Sequence, residues 1–181
     1  VNIDLDTLPP NKPRDLRFAR TLDFLQRTLA APARILDLGP PNAFAEVLRR
    51  HGYDVINTPG GVDLDLNPEV VDDVEADATT AFEILEHLVA PFNVIRRLPT
   101  PRLIATIPMR LWFAPAYRNP DDAWDRHYHE FEDWQFDWLL EKSGWHIRER
   151  EKWNGPAYRI GIRPLLRRLT PRYYAVDAWK G

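Results

Sequence analysis

The sequence predicts an α/β fold, with a mostly parallel central sheet carrying helices on both faces. Three observations carry that expectation. Short apolar runs of strand length alternate with segments of helical period along the whole chain. Most of these runs are closed by glycine or proline, and proline, at 17 residues against 8 glycines, is unusually frequent. The chain has 181 residues, 44% of them hydrophobic, which is enough for one core and argues for a single domain over 1–181.

The elements follow in order. Val1–Pro13 is acidic and proline-rich and reads as an extended arm. From Arg14 to Ala30, Leu16, Ala19, Leu22, Phe24, Leu25 and Leu29 recur on a helical period that stops before Pro32. Ala33–Gly39 is a buried strand. Asn42 is positioned to cap a helix over Ala43–His51, which Gly52 ends. Tyr53–Thr58 is a second strand broken by Pro59-Gly60-Gly61, and Val62–Leu66 is a short third one. Ala78–Phe82 is a buried strand running into Glu83–Leu88, and Pro91–Leu98 is a helix with proline at its start. Arg102–Ile107 is a strand stopped by Pro108.

The stretch 109–132 is irregular and aromatic, with Trp112, Phe113, Tyr117, Trp124 and Tyr128; it reads either as a binding lid or as a roof over the sheet. Asp133–Ser143 is an amphipathic helix closed by Gly144, and Trp145–Lys152 alternates like a strand. Ile160–Leu169 is a basic helix broken by Pro164, and Tyr173–Trp179 is the last strand.

Composition narrows the chemistry. There is no cysteine, which excludes disulfides, thiolate metal sites and cysteine nucleophiles. The formal charge of −3 is not that of a protein gripping nucleic acid over a wide surface, so nucleic acid is not an expected partner. No apolar run approaches the roughly 20 residues of a membrane span, and Val1–Pro13 does not resemble a secretory signal. The expected setting is cytoplasmic. Charge is nevertheless uneven: seven acids and no base lie between Val62 and Asp77, and eight bases with two acids between Arg148 and Arg172. The basic part contains Arg159, Arg163, Arg167, Arg168 and Arg172 among Leu165, Leu166 and Leu169. A solvated charged face accounts for it, and so does peripheral contact with an anionic membrane surface.

In open α/β sheets ligands sit beyond the carboxyl ends of the strands. Here the first strand ends in Asp37-Leu-Gly39 and enters a capped helix, whose N-terminal N–H groups could face a ligand. Glu83, Glu86 and His87 follow the strand Ala78–Phe82 at the mouth of the same cleft, and His127 and His129 lie where the chain could return over it. Two carboxylates and one or two imidazoles suit a general base or a divalent-ion site, and equally a capped turn with paired histidines.

Several of these motifs resemble those of class I S-adenosylmethionine-dependent methyltransferases. Ile35–Gly39 is similar to the family's first motif. Ala76–Leu88 is similar to its fourth-strand motif with the Glu-x-x-Glu-His-Leu ending. Leu103–Pro108 is similar to the fifth strand, and Phe136–Trp145 to the last helix entering the sixth. The resemblance implies a Rossmann-like sandwich with an antiparallel last strand, S-adenosylmethionine as cofactor, and methyl transfer to an O or N atom. The acceptor expected is a small molecule, a glycan or a lipid-linked precursor.

The resemblance also implies roles. Asp37, Gly39 and Pro41 would hold the cofactor with Phe82, and Asp63 or Asp65 would meet its ribose. Glu86, His87 and His129 would act as base or orient the acceptor. Small-RNA 2′-O-methyltransferases look similar around Glu83, Glu86, His87 and His129, where they hold a metal; that resemblance leaves a divalent metal open without making it part of the expected cofactor set. The chain departs from the family at the glycine turn, which carries Pro41 and Ala43. It is also too short between Asp37 and Asp77 for two full crossover helices. The altered turn makes a catalytically inactive scaffold a further reading.

Overall fold

The fold is described from a computed structural model, which covers residues 11–156 and 161–181. In chain order its elements are α1 (Lys12–Thr28), β1 (Arg34–Asp37), α2 (Ala43–Arg50), β2 (Asp54–Asn57), β3 (Ala78–Phe82), α3 (Pro91–Ile95), β4 (Arg102–Pro108), α4 (Asp133–Lys142), β5 (Trp145–Asn154), α5 (Ile162–Leu169) and β6 (Pro171–Lys180). The strands form one sheet in the order β2-β1-β3-β4-β6-β5. β1 runs parallel to β2 and β3, and β3 to β4. β6 lies antiparallel between β4 and β5.

Alternation along the strands divides the interior into two cores, because successive side chains leave a strand on opposite faces. Ile35, Ile104 and Ala175 point to the face covered by α1 and α2, where they meet Leu22, Phe24, Leu25, Val47 and Leu48. Leu36, Leu103, Ala105 and Val176 point the other way, against Val94 and Ile95 of α3 and Phe136 and Leu140 of α4. The expected sandwich with helices on both faces is therefore present, and the last strand is antiparallel.

Four expectations change. Lys12 and Pro13 belong to the first turn of α1, capped by Asn11, so the extended arm does not reach residue 13; residues 1–10 lie outside the described residues. Val62–Leu66 is not a strand. Asp63 folds the backbone into a turn by accepting from the N–H of Asp65 at 2.9 Å on its side chain and of Asn67 at 2.8 Å on its carbonyl. One turn of 3-10 helix at Pro68–Val71 is all that remains of the second crossover. β4 continues through Pro108, which sits opposite Tyr173. Pro164 does not break α5, because it falls in the first turn, where its missing N–H would have no helical partner. Arg159 and Ile160, expected at the start of that helix, lie outside the described residues.

The stretch 109–132 has no helix or strand, only the bridge between Met109 and Phe131. Its aromatics do not roof the sheet: Trp112 and Trp124 are 72% and 62% exposed. No helix among the described residues is long and apolar enough to cross a membrane.

Candidate active site

β1 is the strand at which the chain's order in the sheet reverses, with β2 on one side and β3 on the other. A crevice opens beyond the carboxyl ends of β1 and β3 at this point, as the topology dictates. It is a cleft of about 520 Å³, a volume ordinary for small-molecule sites, and α1 closes its far wall with Arg17, Phe18 and Thr21.

Its floor is a hydrogen-bonded unit around Asp37. Asp37 Oδ1 accepts from the Thr80 hydroxyl of β3 at 2.8 Å, and Oδ2 accepts from the Asn57 amide of β2 at 2.9 Å. The same Asn57 amide nitrogen donates to the Gly39 carbonyl at 3.0 Å, so one side chain fixes both the carboxylate and the turn that follows it. Burial dominates the titration of Asp37 and pushes its pKa up to about 7, against the opposing hydrogen bonds. A Cβ on Gly39 would stand 3.3 Å from the Asn42 amide and 3.4 Å from Asp37 Oδ2, so the turn is packed closely around this position.

Asn42 caps α2 as the sequence predicts, accepting from Phe44 N at 2.8 Å and Ala45 N at 3.0 Å. That corrects the expectation of free N–H groups at this helix end: the cap occupies two of them.

The other wall is built by the turn after β3. Glu83 adopts a left-handed backbone at φ 57°, uncommon for a residue with a Cβ, and its N–H donates to the Thr106 carbonyl at 2.9 Å. Leu85–His87 then forms a single 3-10 turn that buries Leu85 and Glu86. Arg17 pairs with Glu83 at 3.3 Å. Glu86 is 1% exposed, and its Oε2 has no hydrogen-bond partner, nor has Glu83 Oε1. Both carboxyl pKa values are raised by burial, Glu86 well above the usual range and further by the charge of Glu83, while Arg17 and Arg172 pull in the opposite direction.

Two histidines meet this pair. His87 Nδ1 lies 3.1 Å from the Arg126 carbonyl, and its ring stands edge-on to that of His127 with centroids 4.7 Å apart. Burial, and next the neighbouring His87, lower the pKa of His127. Ligand atoms of Glu86, His87 and His127 lie within 4.8 Å of one another. With the orphaned Glu86 oxygen among them, this donor set fits a divalent ion of the kind that imidazole and carboxylate suit.

Of the residues singled out from sequence, Asp37, Gly39, Phe82, Glu83, Glu86, His87 and His127 line the cleft. His129, Pro41, Asp63 and Asp65 do not. The His129 ring stacks on Phe131 at 5.1 Å and its Nε2 approaches the Val89 carbonyl at 3.2 Å, so its neighbour two positions earlier takes the expected place. Pro41 is exposed. The Asp65 carboxylate is occupied by the N–H groups of Val89 and Ala90, at 2.7 and 2.8 Å, and holds the loop leading into α3. Asp63 is occupied in its own turn. No acid stands at the end of β2; Asn57 does.

Arg17, Asn57 and Arg172 were not expected at the site. The only sequence signal for them is indirect: Asn57 closes a strand beside Asp37, whereas Arg17 and Arg172 reach the cleft through tertiary packing.

No known protein family matches the chain by sequence, and no curated protein does. Solved structures match closely in shape. The Burkholderia thailandensis 1,6-didemethyltoxoflavin-N1-methyltransferase, solved with 1,6-didemethyltoxoflavin and S-adenosylhomocysteine, has a TM-score of 0.61 at 18% identity, over 93% of this chain and 82% of that one. The Synechocystis magnesium protoporphyrin IX methyltransferase, solved with S-adenosylhomocysteine, gives 0.61 at 14% identity over 96% and 89%. The [4+2]-cyclase SpnF gives 0.54 at 16% identity over 92% and 81%. The shared property is the fold, and the cyclase among these neighbours means that the site has to carry the argument for activity.

Proposed function

We propose that this chain, which has the fold of the class I S-adenosylmethionine-dependent methyltransferases, binds S-adenosylmethionine in the cleft above Asp37 and Gly39. Its methyl group would pass to an O or N atom of a small-molecule, glycan or lipid-linked acceptor. The observation that carries this reading is geometric: Asp37, Glu83 and Glu86 bring three carboxyl groups into one cavity of small-ligand size beyond the ends of β1 and β3, where burial raises their pKa values. A cationic ligand would compensate their ionised forms. When bound, the cofactor supplies an electrophilic methyl on a sulfonium.

The chain's own residues then have defined tasks. Asp37 and Gly39 hold the polar end of the cofactor, with Phe82 against it and Asn57 in place of an acid near the ribose. Glu86, His87 and His127 orient the acceptor. His127 is held neutral below its usual pKa and is the group suited to accept the acceptor's proton. Tyr117 and Tyr173 line the cleft beside this cluster and would lie against the acceptor.

Two alternatives keep specific support. The Asn42 cap and the Pro41 and Ala43 turn favour a cofactor-free scaffold. The Glu86, His87 and His127 cluster favours a metal-dependent enzyme of the 2′-O-methyltransferase kind, against which the acidic balance of the chain speaks. Transfer of a labelled methyl from S-adenosylmethionine to fractionated metabolites, with and without chelator, separates them. Label in an extractable acceptor despite chelation supports the proposal. Label lost on chelation supports the metal reading, and none under any condition supports the scaffold.

A further inference from the structure

We infer that α5 is a membrane-surface anchor that seats in the interface of a bilayer rich in anionic lipid. Ile162, Leu165 and Leu169 are 79%, 56% and 71% exposed, and the helix buries no side chain. Their spacing of three and four places them on one face, with the half-buried Leu166 at its inner edge. Helical geometry sets Arg163 and Arg168 on opposite flanks of this stripe, and both are exposed. The helix has no acidic residue in its first turn, and its last turn carries Arg167 and Arg168. A short amphipathic helix with its leucines toward solvent and arginines along both borders is built to lie in a headgroup layer.

Charge complementarity selects the occupant. α5 itself carries the exposed Arg163, Arg167 and Arg168 and no acid, in a chain whose net charge is −3. An anionic surface therefore attracts the molecule through this helix, which orients it. A second anchor point lies nearby. The turn carrying Leu111, Ala114 and Pro115 and the α5 residue Arg167 line one chamber of about 330 Å³, and the exposed Trp112 projects from that turn. The chamber shares Tyr117, Arg172 and Tyr173 with the main cleft. Docking through α5 would thus set the chamber at the bilayer surface, where a lipid-linked acceptor could enter it. That last consequence rests on the methyl-transfer reading; the docking itself does not.

Co-sedimentation with vesicles tests the inference, using pure phosphatidylcholine and phosphatidylcholine containing about one third phosphatidylglycerol. The wild-type protein is expected to pellet with the anionic vesicles, to be released by high salt, and to remain in solution with the neutral ones. Arg163→Gln with Arg168→Gln should weaken partitioning roughly thirtyfold. Leu165→Ser with Leu169→Ser should abolish it, and because both residues are exposed, circular dichroism should show unchanged folding. Failure of the wild type to bind anionic vesicles overturns the inference, as does equal binding to both compositions. A self-association dispersed by the leucine variant, without vesicle binding, would assign the stripe to a second copy of the chain instead. Calorimetry with S-adenosylhomocysteine, run separately, reports on the cofactor reading whichever way the vesicles behave.

Discussion

The Asn57 side chain donates to Asp37 Oδ2 at 2.9 Å while the same nitrogen reaches the Gly39 carbonyl at 3.0 Å. A carboxylate at residue 57 could do neither, since it has no proton to give and would set a second negative charge against a buried first one. The shortened crossover after β2 and the amide at the end of that strand lie on the same side of the cleft.

Removing that amide leaves a buried carboxyl oxygen with one partner fewer. Asn57→Ala is expected to cost about 1–3 kcal/mol, and Asn57→Asp, which loses the two donated bonds but keeps the acceptor for Arg49 Nη2 at 2.7 Å, about 1–2 kcal/mol. Urea denaturation midpoints check both. A variant as stable as the wild type would remove Asn57 from the account.

The pH dependence has a definite sign. The Asp37 pKa is raised from 3.8 to about 7 on folding, so between those values the folded chain binds a proton that the unfolded chain has released. The resulting stabilisation is complete below pH 3.8 and is lost as pH rises through 7. It amounts to roughly 4 kcal/mol as an upper bound. Glu83 and Glu86 are raised too and act in the same direction. Asp125 and Asp133 are lowered by their hydrogen bonds to Tyr117 and Lys152, and they oppose this only at acid pH. Stability measured by urea should fall from pH 4 to 7, and Asp37→Asn should flatten the fall.

The same linkage reaches the ligand. A cation in the cleft favours ionised carboxyl groups, so binding S-adenosylmethionine near pH 7 should release protons. Calorimetry in buffers of different ionisation enthalpy reads this directly. Equal apparent enthalpies in all buffers would show that Asp37 and Glu86 do not respond to the ligand.

The two histidines of the 125–132 stretch should separate in function. His127 faces Glu86 and His87, whereas His129 stacks outside the cleft on Phe131. Once an acceptor is in hand, His127→Ala should lower kcat by about 10²-fold or more, the range of a lost general base. His129→Ala should lower it less than about tenfold. The reverse order would restore the assignment the sequence suggests.

Far from the cleft, Arg102 grips Asp177 through Nε at 2.7 Å and Nη2 at 2.9 Å. Asp177 is 4% exposed, and the Trp179 ring lies against the guanidinium at 4.8 Å. Asp177→Ala leaves that half-buried cation without its carboxylate, with the Thr28 carbonyl left to accept from it, and should cost about 3 kcal/mol. Thermal or urea unfolding measures it.

Much of the fold is legible in the sequence because its signals are local. Ala78–Phe82 is bounded by a charged turn on either side, and the helix after Asn42 is announced by its cap. Val62–Leu66 misleads because alternating Asp and Leu has the period of a strand, while the Asp63 side chain bends the backbone instead. Pro108 and Pro164 mislead in the opposite sense, since a proline's effect depends on whether its N–H would have had a partner. At the site, Asp37, Gly39 and Glu86 can be found from the strand ends that carry them. Choosing His127 over His129 cannot be done this way, because both lie on a stretch without regular structure where spacing fixes no direction. The commitment of Asp65 to the loop before α3 is likewise a contact between distant segments.

Calorimetric titration of the protein with S-adenosylmethionine and S-adenosylhomocysteine, beside Asp37→Ala, tests the central claim most directly. Both ligands are expected to bind one-to-one with micromolar affinity, weakened at least tenfold by the substitution. Absence of binding at millimolar ligand by a protein that is folded by circular dichroism would contradict it.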